Sequence, residues 1–320
     1  MKRRLNWGVL GLARIARQNL IPAIGRCDEA CLYAIASRSS EKLEEAGEFG
    51  FQRYFSSYEE LLADPAVDVV YIPLPNSLHA TWAIRAMEMG KHVLCEKPMA
   101  ITAADAIRMR DTARRNSVFL MEAFMYRFME KTRMVKELVD SGAVGDVRMV
   151  KASWRFLLDR PGSIKLYPEL GGGSAWDVGC YPVNLVGHLV GNEPESVVAL
   201  KNMKGGVDFS LSALLKYPDG VMAELDCGFD SFSYRALEVS GSEGTLLVPE
   251  VFVDAPDSIL LKRGRDGAGE EIAVPVQERY VEEVKAVSRA ILEGKKELLP
   301  LDETIGNIRL LERILESAKE

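Results

Sequence analysis

Short apolar runs that alternate with helical patterns constrain the fold of this chain more than any other feature. The runs fall at residues 5–10, 31–37, 67–72, 92–95 and 118–121, and helical patterns follow at 14–25, 40–48, 57–62, 77–89 and 102–115. The run Val67-Asp68-Val69-Val70-Tyr71-Ile72 is nearly continuous in apolar residues, as expected of a strand covered on both faces. Ser57 with Glu60, and Thr102 with Asp105, have the spacing of capping boxes and open two of the helices. Strands separated by single helices predict an α/β fold built on a doubly wound parallel sheet.

Beyond this region the pattern changes. An amphipathic helix is expected at 128–141, stopped by Gly142, whose lack of a Cβ suits a left-handed helix end. Strand-like runs then dominate at 147–156, 197–202, 209–217, 221–229, 234–240 and 245–248. Pro218-Asp219-Gly220 and Ser242-Glu243-Gly244 supply hairpin turn chemistry between some of them. One helix interrupts the series at 177–190, and two more close the chain at 278–292 and 303–318. This half predicts a C-terminal α+β domain with a large open, mostly antiparallel sheet. The Gly- and charge-rich stretch 262–271 is expected to cap a hairpin. The expected division is a dinucleotide-binding domain over 1–122, a substrate and dimerisation domain over 123–300, and a C-terminal helix, 301–320, packing back on the first domain.

Composition narrows the class. The chain has 320 residues, 48% hydrophobic and 27% charged, with a formal charge of −7. That size admits two domains with real cores, and the negative balance gives no electrostatic reason to bind nucleic acid or anionic lipid. No apolar run approaches a membrane span, and the N-terminus lacks the pattern of a signal peptide. The five cysteines are odd in number, scattered and without CxxC spacing, and only three histidines are present. A disulfide framework and a metal site are therefore not expected, and the expected location is the cytoplasm.

The first turn reads Gly8-Val9-Leu10-Gly11-Leu12-Ala13-Arg14-Ile15-Ala16. Aligned on Gly11 it is G-x-A-x-x-A, a relaxed form of the dinucleotide fingerprint. Small residues let the backbone approach a pyrophosphate, and the helix start offers N–H donors. The tip of the second run reads Ala36-Ser37-Arg38-Ser39, with no acid for a ribose diol. A hydroxyl and a guanidinium suit a 2′-phosphate, so Ser37 and Arg38 point to NADP rather than NAD; the alternative is that Arg38 is a solvated loop charge. Leu74, Asn76 and His79 lie at the edge that would face a nicotinamide, as pocket residues or as a helix cap and a packed histidine. Glu96-Lys97-Pro98 closes the run at 92–95 and places a lysine at the carboxyl edge of the sheet, where open α/β folds bind ligands.

A second constellation is Gly171-Gly172-Gly173-Ser174-Ala175-Trp176-Asp177-Val178-Gly179-Cys180-Tyr181-Pro182. Asp177 and Tyr181 are four apart, on one helix face, and the glycines permit close approach to another surface, expected to be the nicotinamide end of a cofactor. A carboxylate, a phenol and a lysine in one pocket suit reversible hydride transfer, which needs a proton donor and acceptor at the substrate oxygen. A lysine ammonium would lower the phenol's reference pKa of about 10. The alternative for Asp177 is a carboxylate answering the helix dipole.

These residues, together with Gly90 to Pro98 and Glu122-Ala123-Phe124-Met125-Tyr126-Arg127-Phe128, resemble the Gfo/Idh/MocA oxidoreductases along essentially the whole chain. The Trp7-Gly8 start, the Ala13-Arg14-Ile15-Ala16 turn and the Ser37-Arg38 tip resemble the branch of dimeric dihydrodiol dehydrogenase and NADP-dependent D-xylose dehydrogenase. The resemblance implies an N-terminal Rossmann domain, catalytic roles for Lys97, Asp177 and Tyr181, and a cofactor site that includes Gly11 to Ile15, Ser37, Arg38, Leu74, Asn76, His79, Glu96 and Lys97. It also implies a homodimer or higher homo-oligomer through the C-terminal sheet. Two departures stand out: Met129-Glu130 replace a common His-Pro, and Asn184 to His188 lack an arginine often found after the Asp/Tyr pair. The expected activity is NADP-dependent oxidoreduction of a sugar-like alcohol or carbonyl. The alternatives are a trans-dihydrodiol or dicarbonyl reductase and a non-catalytic dinucleotide sensor.

Overall fold

The computed structural model describes residues 3–255, 258–264 and 269–320. The chain forms two compact units, residues 1–125 with 278–304, and residues 126–277 with 305–320. Among the described residues no helix is long and apolar enough to cross a membrane.

The first unit is built on six parallel strands, β1 (Leu5–Leu10), β2 (Ala30–Ala36), β3 (Arg53–Phe55), β4 (Val69–Ile72), β5 (His92–Glu96) and β6 (Leu120–Ala123), in the order β3-β2-β1-β4-β5-β6. This is the doubly wound Rossmann order, with its switch point between β1 and β4. Trp7, Val9, Ile35, Val70, Tyr71 and Leu94 are fully buried, the burden of a sheet covered on both faces. Helices α1 (Ile21–Gly25), α2 (Ser40–Ala46), α3 (Tyr58–Ala63), α4 (His79–Glu88) and α5 (Ala103–Asn116) make the crossovers. Ser57 and Thr102 cap α3 and α5, accepting the N–H groups of Glu60 and Asp105 at 3.2 and 3.1 Å. The Glu60 carboxylate takes the Ser56 hydroxyl. In this unit β3 has no counterpart among the expected strands, because three half-exposed residues at a sheet edge carry no burial pattern.

The second unit holds α6 (Glu130–Asp140), β7 (Val147–Leu157), α7 (Cys180–Val190), β8 (Ser196–Lys204), β9 (Val207–Lys216), β10 (Met222–Gly228), β11 (Asp230–Gly241), β12 (Gly244–Pro249), β13 (Ser258–Arg263) and β14 (Gly269–Ala273). With β15 (Ala318–Lys319) they form a nine-stranded sheet in the order β14-β13-β12-β11-β7-β10-β9-β8-β15. All neighbours are antiparallel except β10 with β7 and β15 with β8. One face buries Val150, Ala152, Leu211, Ala213, Leu225 and Cys227. The register puts Val198, Leu214, Leu200 and Met222 on the opposite face, where they are 63%, 45%, 63% and 42% exposed. Of the hairpin cap expected at 262–271, residues 265–268 lie outside the described residues; the flanking segments pair as β13 and β14.

The division differs from the expected one at the end of the chain. The helix that returns to the parallel-sheet unit is α8 (Arg279–Leu292), tied there by the Arg26–Glu278 ion pair and by Arg289 to Glu29 at 2.7 Å. The last helix, α9 (Leu301–Ser317), passes into the second unit, where the Ser317 hydroxyl donates to the Val197 carbonyl at 3.0 Å. Both helices are amphipathic, so sequence alone could not say which sheet each would cover.

Candidate active site

In the first unit, β1 runs into a tight turn at Gly11. Its φ of +85° favours glycine, and a Cβ would meet Tyr58 Oη at 3.3 Å and Leu74 Cδ2 at 3.4 Å. The Gly11 N–H donates to the Ala36 carbonyl at 2.7 Å, fixing the turn to the end of β2. Leu12, Ala13, Arg14 and Ile15 lead into the helix, whose 16–20 segment is a π turn, a widening common at functional sites. Arg14 is exposed and bonds Gln18 at 2.8 Å. At the β2 tip Ser37 is buried and accepts the Ser39 N–H at 3.2 Å. Arg38 is exposed, with its guanidinium 5.9 Å from the centre of the Tyr58 ring. Burial pushes the Tyr58 phenol up, against the pull of Arg38. Tyr58 thus touches both the glycine turn and the arginine, a role its place in α3 does not signal. A turn whose positive φ favours glycine, a helix start and an exposed guanidinium at the β2 tip fit a phosphorylated dinucleotide.

Lys97 follows β5, and its peptide to Pro98 is cis. The backbone around it is anchored from three directions. His79 is fully buried, with Nδ1 and Nε2 each 2.8 Å from the carbonyls of Pro98 and Leu74. Burial pushes its pKa down, against the two carbonyls. His79 therefore takes the packed alternative: it staples the β4 edge to the Lys97 turn. Glu122, directly beside Cys95 on β6, accepts the Met99 N–H at 2.8 Å, and the Cys95 thiol points to the Met99 carbonyl at 3.8 Å. Glu96 accepts the Tyr71 hydroxyl at 2.5 Å and the Lys97 N–H at 3.3 Å. Burial first, then the Glu96 charge, drive the Tyr71 phenol well up. Asn76 lies in the short turn Asn76–Leu78 that precedes α4.

In the second unit Asp177 sits in the π turn Ala175–Gly179 and Tyr181 in the first turn of α7. The start of this helical run is held by Asp208 of β9, which accepts the Ser174 hydroxyl and the Ala175 N–H at 2.7 Å each. Burial raises the Asp208 pKa, and both donors oppose the rise. Gly172 and Gly173 of the glycine triplet approach other parts of the chain closely. A Cβ on Gly172 would lie 2.6 and 2.8 Å from the carbonyls of Lys165 and Tyr167, and one on Gly173 would collide with Asp208. Asp177 forms a part-buried ion pair with Lys165. Tyr181 is buried among aromatic rings, its centroid 4.2 Å from Trp154, 5.6 Å from Phe252 and 5.9 Å from Tyr126. Lys165, Trp154, Phe252 and Asp208 escaped sequence reasoning, because none is near Asp177 in the chain.

Both departures from the family pattern are accommodated locally. Arg127 donates to Asn184 Oδ1 at 3.3 Å and lies 3.0 Å from His188 Nδ1, so these positions hold a guanidinium that comes from before α6. At Met129-Glu130, Met129 precedes α6 and the Glu130 N–H donates to Gln277 at 2.5 Å, a bond that a proline there could not make.

Residues 5–124 match the oxidoreductase family model with an NAD-binding Rossmann fold, GFO/IDH/MocA, and residues 132–247 match the GFO/IDH/MocA C-terminal domain. The chain is 36% identical over 318 residues to a D-xylose 1-dehydrogenase (NADP(+)) of Haloferax volcanii, covering 98% of this chain and 97% of that one. It is 31% identical to the trans-1,2-dihydrobenzene-1,2-diol dehydrogenase of Mus musculus, covering 99% and 96%. Among solved structures, the 3-ketoreductase KijD10 of Actinomadura kijaniata, in complex with NADP and TDP-benzene, superposes with a TM-score of 0.94 at 30% identity, over 99% and 98% of the two chains. The chain belongs to the GFO/IDH/MocA family of oxidoreductases.

Proposed function

We propose that this protein is an NADP-dependent dehydrogenase or reductase acting on a CH–OH or carbonyl group of a sugar or sugar-like compound. The observation that carries this is a lysine on an anchored strand edge together with a carboxylate and a phenol on one helical run, in a chain similar end to end to sugar oxidoreductases. The parallel-sheet unit is assigned to the dinucleotide and the second unit to the substrate. Gly11 to Ile15 would hold the pyrophosphate, Ser37 and Arg38 the 2′-phosphate, and the edge formed by Leu74, Asn76, Glu96 and Lys97 the nicotinamide end, with His79 supporting that edge from behind. The nicotinamide, when bound, supplies the hydride acceptor or donor.

Tyr181 exchanges the proton at the substrate oxygen. A phenol needs help to do so near neutrality, of the kind an ammonium gives by favouring the phenolate. Asp177 receives substrate hydroxyls. The rings of Trp154, Phe252 and Tyr126 pack around Tyr181 and fix the position of its phenol, and of these Trp154 is part-exposed and can offer its face to the C–H side of a sugar ring. The part-exposed Trp154 ring also suits a second reading, a trans-dihydrodiol as for the mouse relative; the charged Asp177–Lys165 pair favours the polyol. The proposed assembly is a homodimer through the open sheet face, and the proposed location the cytoplasm.

Lys97→Ala and Tyr181→Phe test the assignment. Each is expected to lower kcat by about 100-fold or more while leaving the NADPH dissociation constant within about threefold, as read by nicotinamide fluorescence and absorbance. Near-normal turnover in either variant would remove that residue from the mechanism.

A further inference from the structure

The ion pair at Asp177 has a partner that the catalytic assignment does not use. Lys165 lies in the short turn Ile164–Leu166, where Ser163 Oγ accepts its N–H at 3.4 Å and its carbonyl accepts the Gly173 N–H at 2.9 Å. Gly172 packs against the same carbonyl with no room for a side chain. The turn is therefore fixed to the segment that starts the Asp177 helix. From it the ammonium reaches Asp177 Oδ2 and sits 5.1 Å from the centre of the Phe156 ring. The two charged side chains are 28% and 14% exposed, so they face solvent or ligand without being loose.

We propose that Lys165 is a substrate-binding residue that reads, together with Asp177, two neighbouring hydroxyl groups of the substrate; this rests on the functional assignment above. A carboxylate only accepts hydrogen bonds, and an ammonium only donates them. A hydroxyl does both. A vicinal diol laid against the pair satisfies each member, one hydroxyl donating to Asp177 and its neighbour accepting from Lys165. The pair carries no net charge, so it suits a neutral polyol rather than an acidic or a cationic substrate. Phe156 holds the ammonium in place through its ring face and sets the direction of the donor.

The test is steady-state turnover with NADP+ or NADPH of D-xylose, D-glucose and their monodeoxy analogues, or the corresponding carbonyl forms, by the unaltered protein, Lys165→Met and Lys165→Arg. The unaltered protein is expected to lose about tenfold or more in kcat/KM for an analogue that lacks a read hydroxyl, the usual cost of an unpaired charged group. Lys165→Met is expected to raise KM for the parent sugar by about tenfold with kcat within about threefold, and to erase the penalty for one analogue. Lys165→Arg should restore part of that discrimination, which a merely structural role would not predict. An unchanged discrimination ratio in Lys165→Met, or an equal loss for parent and analogues, overturns the inference while the functional assignment stands. No turnover of any parent sugar by the unaltered protein overturns the assignment, and the inference with it.

Discussion

Glu122 shows how a single buried group ties pH to the Lys97 turn. Burial lifts its carboxyl from an ordinary 4.5 to about 7, opposed by the Met99 N–H and the Thr304 hydroxyl; Glu303 adds to the rise, and Lys97 lowers it. Native protein therefore holds a proton between these values that unfolded chain releases. The stabilising contribution of the neutral form is full below 4.5 and is lost as pH rises through about 7. The difference is on the order of 3 kcal/mol at most. Glu122→Gln keeps an acceptor for the Met99 N–H and removes the titration. It is expected to melt close to the unaltered protein at pH 4.5 and several degrees above it at pH 8; an equal difference at both pH values would show that burial of this carboxyl is not the cause. Lys97 itself was legible in the sequence because Glu96-Lys97-Pro98 is a local motif at a strand end. Its supports were not: Glu122 becomes a neighbour only through the β5–β6 register, and His79 only through two backbone carbonyls.

At the scale of elements, what could be read were patterns that each segment carries within itself. The buried strands, the Ser57 and Thr102 caps and the helix bearing Asp177 and Tyr181 all follow from local residue types. What could not be read depended on distant partners. The edge strand β3 has no periodicity to detect, and the helical run that holds Asp177 is anchored at its start by Asp208, from another strand. The glycine triplet was legible as a site of close approach; that Gly172 and Gly173 approach the Lys165 turn and Asp208 was not. Asp208 is the counterpart for this helix of an N-cap, supplied by another strand. Asp208→Ala is expected to cost about 2–4 kcal/mol, because two buried donors lose their acceptor. Asp208→Asn keeps one acceptor and should cost roughly half as much. Chemical denaturation checks the order; equal stability in the two variants would mean the bonds to Ser174 and Ala175 do not hold the helix.

For the molecule as a whole, the division into a parallel and a mostly antiparallel sheet was legible from the change in pattern, whereas the path of the last two helices was not. The open face of the nine-stranded sheet leaves Val198, Leu200, Leu214 and Met222 in solvent in a single chain, an apolar surface of the kind that partners cover. With a homodimer through this face, Val198→Lys combined with Leu214→Lys is expected to turn a dimer into a monomer by light scattering with the fold retained; an unchanged mass would move the interface elsewhere. Selection of NADP by the first unit through Arg38 is read out by fluorescence titration of NADPH and NADH with the unaltered protein and Arg38→Ala. NADPH is expected to bind more tightly than NADH, and Arg38→Ala to lose about 10-fold to 100-fold for NADPH with NADH changed by less than about threefold. Equal losses for both nucleotides, or no binding of either by the unaltered protein, would contradict it.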